Sequence, residues 1–404
     1  MKQDGSAHRI VNSAGARAGQ ATPSLLYKVV VCHVATVHTG LDVRIYHKQM
    51  LSLSRAGYEC HMVISTTAEE AARAETQGVR VHLLNRAEGQ SRLARMFFRP
   101  LQALRLIRGT GAQIVHFHDP ELMPLGILLR MMGRQVIMDC HEFLPDDILT
   151  KEWLPASVRK PLAGTVWMVQ KFVAARFAAV VAATPHIGDR FRPYARRCVT
   201  LNNFPVRAEI ETAEATTARW EERKAVTYAG TLTAHRCIQE MVDAAARVQV
   251  PLILAGNFPS PAYREAVRRT QGWPNVIDLG QVEREQVLES YRKSFAGIVL
   301  WAPIPNFLYG VPNKLLEYMG AGLPVVASNL PGMKDFVLTE RAGLCVDPYD
   351  VEAIAEAIAY LRDNPDEARE MGQRGLEAVR QRYNWDAEEK HLLLLYQSLS
   401  GATR

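Results

Sequence analysis

The feature that most constrains this chain is an alternation. Short, almost uninterrupted apolar runs recur along it, each followed by a stretch with helical spacing. Tyr27–Ala35 (YKVVVCHVA), Cys60–Ile64, Ile114–Phe117, Gln135–Asp139, Ala179–Ala183 and Val199–Leu201 form a first series. Val226–Ala229, Leu252–Ala255, Val276–Leu279, Ile298–Trp301, Pro324–Ala327 and Gly343–Val346 form a second. Segments such as Asp42–Ala56, Ile238–Arg247 and Val351–Arg362 keep the helical period between them. A strand that is apolar on both faces has to be covered on both, so the pattern predicts α/β architecture with buried parallel sheets.

The alternation pauses at Asn202–Arg207 (NNFPVR), and a charged stretch, Ala213–Lys224, follows. That places a boundary near residue 205. The reading is a flexible tail over 1–24, a doubly wound domain over 25–205, a second over 206–382, and a terminal helix over 383–404 crossing back onto the first. A chain of 404 residues can bury two cores of that size. A ligand is expected in the cleft between them, beyond the carboxyl ends of the strands.

Composition narrows the chemistry. Lys and Arg outnumber Asp and Glu 48 to 42, a formal charge of +6. That suits an anionic ligand or membrane surface, but it is too diffuse to call for nucleic acid, and no nucleic-acid-binding motif occurs. Asp-x-Asp is absent, so neither a metal nor another cofactor is expected. No GKS or GKT phosphate loop and no Gly-x-Ser-x-Gly is present, which argues against NTPase and hydrolase chemistry. The six cysteines form no CxxC pair and read as free thiols in a reducing compartment. The N-terminus has no apolar signal core. The longest uncharged run, Ser294–Asn313, is broken by Pro303, Pro305 and Pro312. The expectation is a cytoplasmic protein, at most peripheral on the inner membrane.

The most informative stretch is Asn306–Pro331, NFLYGVPNKLLEYMGAGLPVVASNLP. Gly310 loosens the backbone, and Pro312 suits the first position of a helix. The N–H groups that follow make an anion site, to which Lys314 adds a mobile charge. Glu317 lies about one turn on, where it could accept a ribose diol while the amine faces phosphate. On spacing alone, a solvated Lys314–Glu317 surface pair is equally good.

The arrangement P-N-K-x-x-E-Y-M-x-A-G-x-P-V-V-A-S resembles the donor-binding segment of family 4 (group 1) glycosyltransferases, retaining enzymes of the GT-B fold. From Lys28 to about Leu399 the rest of the chain resembles the family in the same order. Thr39-Gly40-Leu41-Asp42 is similar to its first glycine loop, and Leu51–Val63 to its L-x-x-x-G-H-E-V unit. Ile114–Pro120 (IVHFHDP) resembles its V-x-H-x-H segment, Tyr228-Ala-Gly-Thr-Leu its Y-V-G-R-L, and Tyr383-Asn-Trp-Asp its terminal F-S-W.

The resemblance implies a sugar moved from a nucleotide-sugar donor to a saccharide or polyprenyl-linked acceptor in surface polysaccharide or glycolipid assembly. It implies that Gly40, Gly230, Arg236, Tyr309, Gly310, Asn313, Lys314 and Glu317 serve the donor. His118 matches the active-site histidine that meets a donor-sugar hydroxyl, and His116 is structural. Asp119 and Glu121 orient His118 or meet an acceptor hydroxyl, and His141 and Glu142 reach the acceptor. There are departures. Thr231 stands where the family has Arg, and Arg236 where it has Lys. Tyr309 replaces the first carboxylate of the family's E-x7-E pair, of which Glu317 is the second. These departures keep open a catalytically degenerate GT-B binding subunit, and a nucleotide-sugar 2-epimerase shares the fold.

Residues 86–108 hold six Arg and one Glu. Leu93, Phe97, Leu101 and Leu104 keep helical spacing on one side, and Arg92, Arg95, Arg99 and Arg105 flank them, with Pro100 breaking the helix or beginning a second. A basic amphipathic segment of this kind suits an anionic membrane surface; an ordinary helix packed on the sheet is the alternative.

Overall fold

The computed structural model describes residues 28–84, 92–151, 153–214 and 220–401. The tail expected over 1–24 lies outside them. The first sheet is built from β1 (Val30–Thr39), β2 (Glu59–Ser65), β3 (Val79–Leu83), β4 (Ile114–Phe117), β5 (Gln135–Cys140), β6 (Ala179–Ala182) and β7 (Cys198–Thr200). Its order is β3-β2-β1-β4-β5-β6-β7. The second comprises β8 (Ala225–Ala229), β9 (Leu252–Ala255), β10 (Val276–Gly280), β11 (Ser294–Val299), β12 (Val325–Ser328) and β13 (Gly343–Val346). These are ordered β10-β9-β8-β11-β12-β13. Neighbouring strands pair in parallel throughout. Strand order therefore reverses between β1 and β4, and again between β8 and β11. A crevice opens beyond the carboxyl ends of strands at such reversals.

The structure departs from the sequence reading in places. β3 (VRVHL) was not expected: it is an edge strand with one fully buried residue, so its apolar signal is thin. β11 starts at Ser294 rather than near Ile298 because the helix Arg284–Lys293 runs directly into it. The apolar run continues through Trp301, so hydrophobicity alone gave that strand no edge. Pro312 is not the first helical residue. It caps the helix Asn313–Gly320 with an extended ψ of 142°, and the helix starts one residue later.

The stretch after β1 forms a wide, π-type helix, Val43–Met50, followed by an α-helical turn, Leu51–Arg55. The Asp42 carboxylate accepts the Arg44 and Ile45 N–H groups at 2.8 and 2.9 Å and so fixes its start. Wide turns of this kind collect at functional sites. This one buries Arg44, Lys48 and Gln49 beside the first sheet.

The helix Trp385–Ser400 lies on the first domain. The Trp385 N–H donates to the Pro205 carbonyl at 2.8 Å, and its indole N–H to Ser52 Oγ at 3.0 Å. Leu392, Leu395, Tyr396 and Leu399 enter the core that contains Ile45, Met50 and Ile64.

The basic segment forms one helix, Arg92–Thr110, continuous through Pro100. Proline removes one backbone donor near its middle without breaking it. Residues 86–91 and the side chains of Arg92, Leu93, Arg95 and Phe97 lie outside the described residues. Ala103 and Ile107 form the packed face, and Phe98 and Leu101 are exposed. Among the described residues, no helix is long and apolar enough to cross a membrane.

Candidate active site

At the carboxyl edge of the first sheet, β1, β4 and β5 bring a set of imidazoles together. His33 Nδ1 lies 3.0 Å from His118 Nε2, and His33 Nε2 lies 2.8 Å from the Tyr396 hydroxyl. His116 Nδ1 is 2.9 Å from the same hydroxyl. At the other end, His118 Nδ1 sits 3.2 Å from the Asp139 carboxylate. That carboxylate fixes a proton on His118 Nδ1, and the remaining partners follow in turn. His33 donates to His118, Tyr396 to His33, and His116 to Tyr396, with every ring neutral.

Burial enforces that neutrality. It holds His33 and His116 well below the ordinary imidazole range, with help from neighbouring imidazoles, and pulls His118 down to about 3. Asp139 is the counter-case. Burial alone raises its pKa, but Arg44, His141 and the hydrogen bond from His118 outweigh it and keep the carboxyl well below its usual value. Arg44 meets both oxygens, Nη2 to Oδ1 at 3.0 Å and Nε to Oδ2 at 3.3 Å, and Gln49 Nε2 adds a bond at 2.8 Å. The triads His33–His116–His118 and His118–Asp139–His141 gather ligand-type atoms within 4.8 Å. In the hydrogen-bonded arrangement His33 Nδ1, His118 Nε2 and His118 Nδ1 are already spent on one another and on Asp139.

His118 is thus fully engaged within the protein. Beside it in the lining of the first-domain cavity stand His38 and His141, with side chains 30% and 21% exposed. Asp119 orients His38, not His118. Its Oδ1 lies 2.7 Å from His38 Nδ1, and its Oδ2 accepts the Thr36 and Val37 N–H groups at 2.5 and 2.9 Å. The bond to Asp119 raises the His38 pKa against the opposing effect of burial. Glu121 accepts the Thr36 hydroxyl at 2.8 Å. Gly40 turns the chain out of β1 with φ +69°, a conformation that favours glycine. Val37 and His38, rather than Gly40, line the cavity of about 430 Å³ that forms here. Gln170 also lines it, 97% buried by its 3% exposure, with an amide oxygen that has no partner.

The second domain supplies the anion side. Gly230, Thr231, Gly256, Asn257 and Lys314 surround a cavity of about 250 Å³ beyond β8 and β9. Gly256 is required there, since a Cβ would come within 1.8 Å of the Gly230 carbonyl oxygen. Lys314 Nζ donates to both Glu317 oxygens at 2.9 Å, Arg284 Nη1 to Oε2 at 2.5 Å, and the Tyr291 hydroxyl to Oε2 at 3.1 Å. Burial raises the Glu317 pKa, but the two cations prevail and it stays below its ordinary value. Arg236 lies over the rings of Trp301 and Phe307, 5.3 and 5.7 Å from their centroids.

A third cavity, of about 450 Å³, spans both domains. Arg236, Tyr309, Gly310 and Asn313 face His186 and Asn203 across it. Tyr309 stacks on His186, and Asn306 Nδ2 donates to Asp147 Oδ1 at 3.5 Å. His141, Glu142 and Asp147 line both this cavity and the first-domain one, so the two meet at these residues. The indole N–H of Trp301, a residue 9% exposed, has no partner.

The structure therefore brings Arg236, Tyr309, Gly310 and Asn313 to one cavity with His141 and Glu142. It sets Gly230 and Lys314 in a separate second-domain cavity, with Glu317 bound to Lys314. Sequence reasoning did not find Arg284, Trp301, Gln170, Asp147, Arg44 or Tyr396. Arg284 precedes Glu317 by 33 residues, and no spacing rule joins them.

Two doubly wound domains facing each other across such a cleft define the GT-B fold. Residues 39–203 match the family described as "Glycosyl transferase 4-like domain", and residues 223–364 match "Glycosyl transferases group 1". The chain belongs to the group 1, family 4 glycosyltransferases and is a glycosyltransferase. It is 23% identical to D-rhamnosyltransferase WbpZ of Pseudomonas aeruginosa, over 74% of this chain and 77% of that one. It is 31% identical to O-antigen chain mannosyltransferase B of Escherichia coli, over 39% and 42% of the two chains. Anabaena Alr3699/HepE, solved in complex with UDP-glucose, has the same fold, with a TM-score of 0.67 and 15% identity over 91% of this chain and 99% of that one.

Proposed function

We propose that this enzyme transfers a sugar, with retention of anomeric configuration, from a nucleotide-sugar donor to a lipid-linked saccharide. The setting would be surface polysaccharide or glycolipid synthesis on the cytoplasmic face of the inner membrane. The observation that carries the reading is the junction of cavities. Lys314 lines a second-domain cavity, and Arg236 lines an interdomain cavity that meets the first-domain pocket at His141, Glu142 and Asp147.

In this reading the diphosphate is held by Arg236, Lys314 and the free N–H groups at the start of the helix Asn313–Gly320, with no metal. Glu317 turns from Lys314 to the ribose diol when the donor enters. The acceptor oxygen forms its bond to the anomeric carbon as the bond to the diphosphate breaks. The departing nucleoside diphosphate carries away the acceptor's proton, so no protein base is required. Tyr309 replaces the carboxylate that would hold the donor sugar, leaving Asn306, the Trp301 indole N–H and backbone N–H groups to do so. The relatives' names, a rhamnosyltransferase and an O-antigen mannosyltransferase, support the polysaccharide setting. Phe98 and Leu101 on the basic helix support contact with anionic lipid.

The test is nucleoside diphosphate release and thermal shift across UDP, GDP, dTDP and ADP sugars. One donor class should stabilise the protein and turn over. Lys314→Ala and Arg236→Ala should each weaken it by roughly tenfold to a hundredfold, the size of a lost charge-assisted hydrogen bond. Failure of every sugar in the panel to bind overturns the proposal.

A further inference from the structure

The chain that leaves the first domain is gripped at three successive residues. Arg44 Nη1 donates to the Leu201 carbonyl at 2.7 Å. The buried Glu388 of the terminal helix accepts the Asn202 N–H and Nδ2 at 2.8 and 3.0 Å. Lys48 Nζ donates to the Asn203 carbonyl at 3.2 Å and to Asn203 Oδ1 at 2.7 Å. Arg44 and Lys48 stand four residues apart on the wide helix Val43–Met50, so one element holds both linker carbonyls. Lys48 is 2% exposed, and its two bonds to Asn203 are its only ones among the described residues.

An ammonium can only donate. The amide atom that meets Lys48 is therefore the oxygen, and the NH2 group of Asn203 is turned away from it. That NH2 group has no partner among the described residues. It is not sealed, because Asn203 is half-buried and lines the interdomain cavity, which Lys48 does not. Arg236 and Asn313, where the helix Asn313–Gly320 begins, line the same cavity from the second domain. Its acids Glu142 and Asp147 lie where it joins the first-domain pocket. Burial lowers the Lys48 pKa to about 8, with Glu209, Asp42 and Glu317 near enough to oppose it. The group is thus charged at neutral pH and polarises the amide it holds. Glu317 belongs to the helix that Asn313 begins, so Lys48 and Asn203 lie close to that helix.

We infer that Asn203 binds the diphosphate of the nucleotide sugar from the first-domain side of the cleft: its Nδ2 hydrogens meet a phosphate oxygen, and Lys48 is the positioning residue that aims them. The inference rests on the proposed diphosphate site at Arg236 and the start of the helix Asn313–Gly320, and adds the group that faces it. A sugar hydroxyl is the weaker match. The groups across the cavity are a guanidinium and helix-start N–H groups, which select an oxyanion. With the linker fixed at residues 201, 202 and 203, the amide is aimed before the ligand enters, so little ordering is left to oppose binding.

The experiment is calorimetric titration of the full-length protein with UDP, GDP, dTDP and ADP, and with a sugar ester of whichever binds. Asn203→Asp keeps the oxygen that Lys48 holds and puts a second oxygen in place of the NH2 group. Its melting temperature should hold or rise, while the diphosphate and its sugar ester weaken alike, by about tenfold or more. Asn203→Ala, which adds no charge, should also weaken both, by about tenfold. Lys48→Met frees the amide to turn and should weaken the diphosphate in the wild-type background, yet change nothing once Asn203 is Ala. A Lys48→Met effect that persists in the Asn203→Ala protein shows the lysine acting through its charge and overturns its positioning role. Unaltered affinity in both Asn203 variants overturns the inference, and so does a loss confined to the sugar ester. If wild type binds none of the four diphosphates, the transfer reading falls and this inference with it; if wild type binds and the variants match it, the inference alone falls.

Discussion

Tyr309 of the second domain lies flat on His186 of the first, with ring centroids 3.9 Å apart and planes 12° from parallel. The resemblance to the family matches Tyr309 to its first donor-site carboxylate; on that reading a contact between domains stands where a sugar contact would. A stacked pair of this kind contributes roughly 1 kcal/mol, about a fivefold bias toward the closed cleft. Tyr309→Ala should expand the protein in small-angle scattering and lower kcat/KM about fivefold, and Tyr309→Phe should restore both. If Tyr309→Ala leaves scattering and kinetics unchanged, the stack has no part in closure.

Arg44 and Asp139 form the buried pair on which the imidazole chain hangs. Both side chains are almost sealed, at 6% and 0% exposure. Arg44→Met leaves the carboxylate without its fork, which should cost about 3–5 kcal/mol. Urea denaturation would read this as a lowered midpoint at unchanged slope. The paired change Arg44→Met with Asp139→Leu should recover much of the loss, because it removes the uncompensated charge. A single variant as stable as wild type would refute the role assigned to Arg44.

Much of the fold was legible because doubly wound strands are apolar on both faces. Ile114–Phe117, Leu252–Ala255 and Gly343–Val346 coincide with β4, β9 and β13. β3 was missed because an edge strand buries little. The donor segment was legible where its chemistry is local, as with Lys314 and Glu317 one turn apart. The rest was not, because its partners meet only after folding. Tyr396 reaches His33 from 363 residues away, and Arg284 comes to Glu317 from another helix. The expected role of His118 shows the same limit: the motif places it at the carboxyl end of β4, but the surroundings that engage both its nitrogens come from β1 and β5.

The buried imidazoles set the response to acid. His33, His116 and His118 have folded pKa values below the ordinary 6.5, that of His118 at about 3. The unfolded chain therefore binds more protons than the folded one between these limits, and stability falls as pH drops below about 6.5. His38 has the opposite sign: its raised pKa contributes stability that is lost as pH rises through the folded value. Asp139, held low, contributes stability that is full above the ordinary carboxyl range and is lost only as pH falls below it toward its folded pKa, outside the window from pH 7 to pH 5. His47, His82 and His186 are lowered as well, so six imidazoles stand against one, and the melting temperature should decline steadily from pH 7 to pH 5. His116→Gln should flatten that slope. A profile flat over this range would mean that the rings are already charged in the folded protein.

Gln170 presents a sharper case, because stability and function should move in opposite directions. Its amide oxygen is sealed against the first-domain cavity with no hydrogen-bond partner. A buried acceptor left unpaired costs about 1–3 kcal/mol. A fold that selection had shaped for stability alone would place an apolar side chain here. On the proposed reading, an acceptor hydroxyl that reaches this oxygen from the cavity would supply the missing donor and recover that energy on binding. Gln170→Leu should therefore raise the melting temperature by a few degrees, since it removes the unpaired oxygen at similar volume. The same change should raise KM for the saccharide acceptor by about tenfold while leaving donor binding as it was, because the donor cavities lie in and against the second domain. Steady-state kinetics with each substrate varied in turn would separate the two effects. A variant that is both less stable and unaltered in acceptor KM would show that Gln170 is held by the fold rather than kept for the substrate.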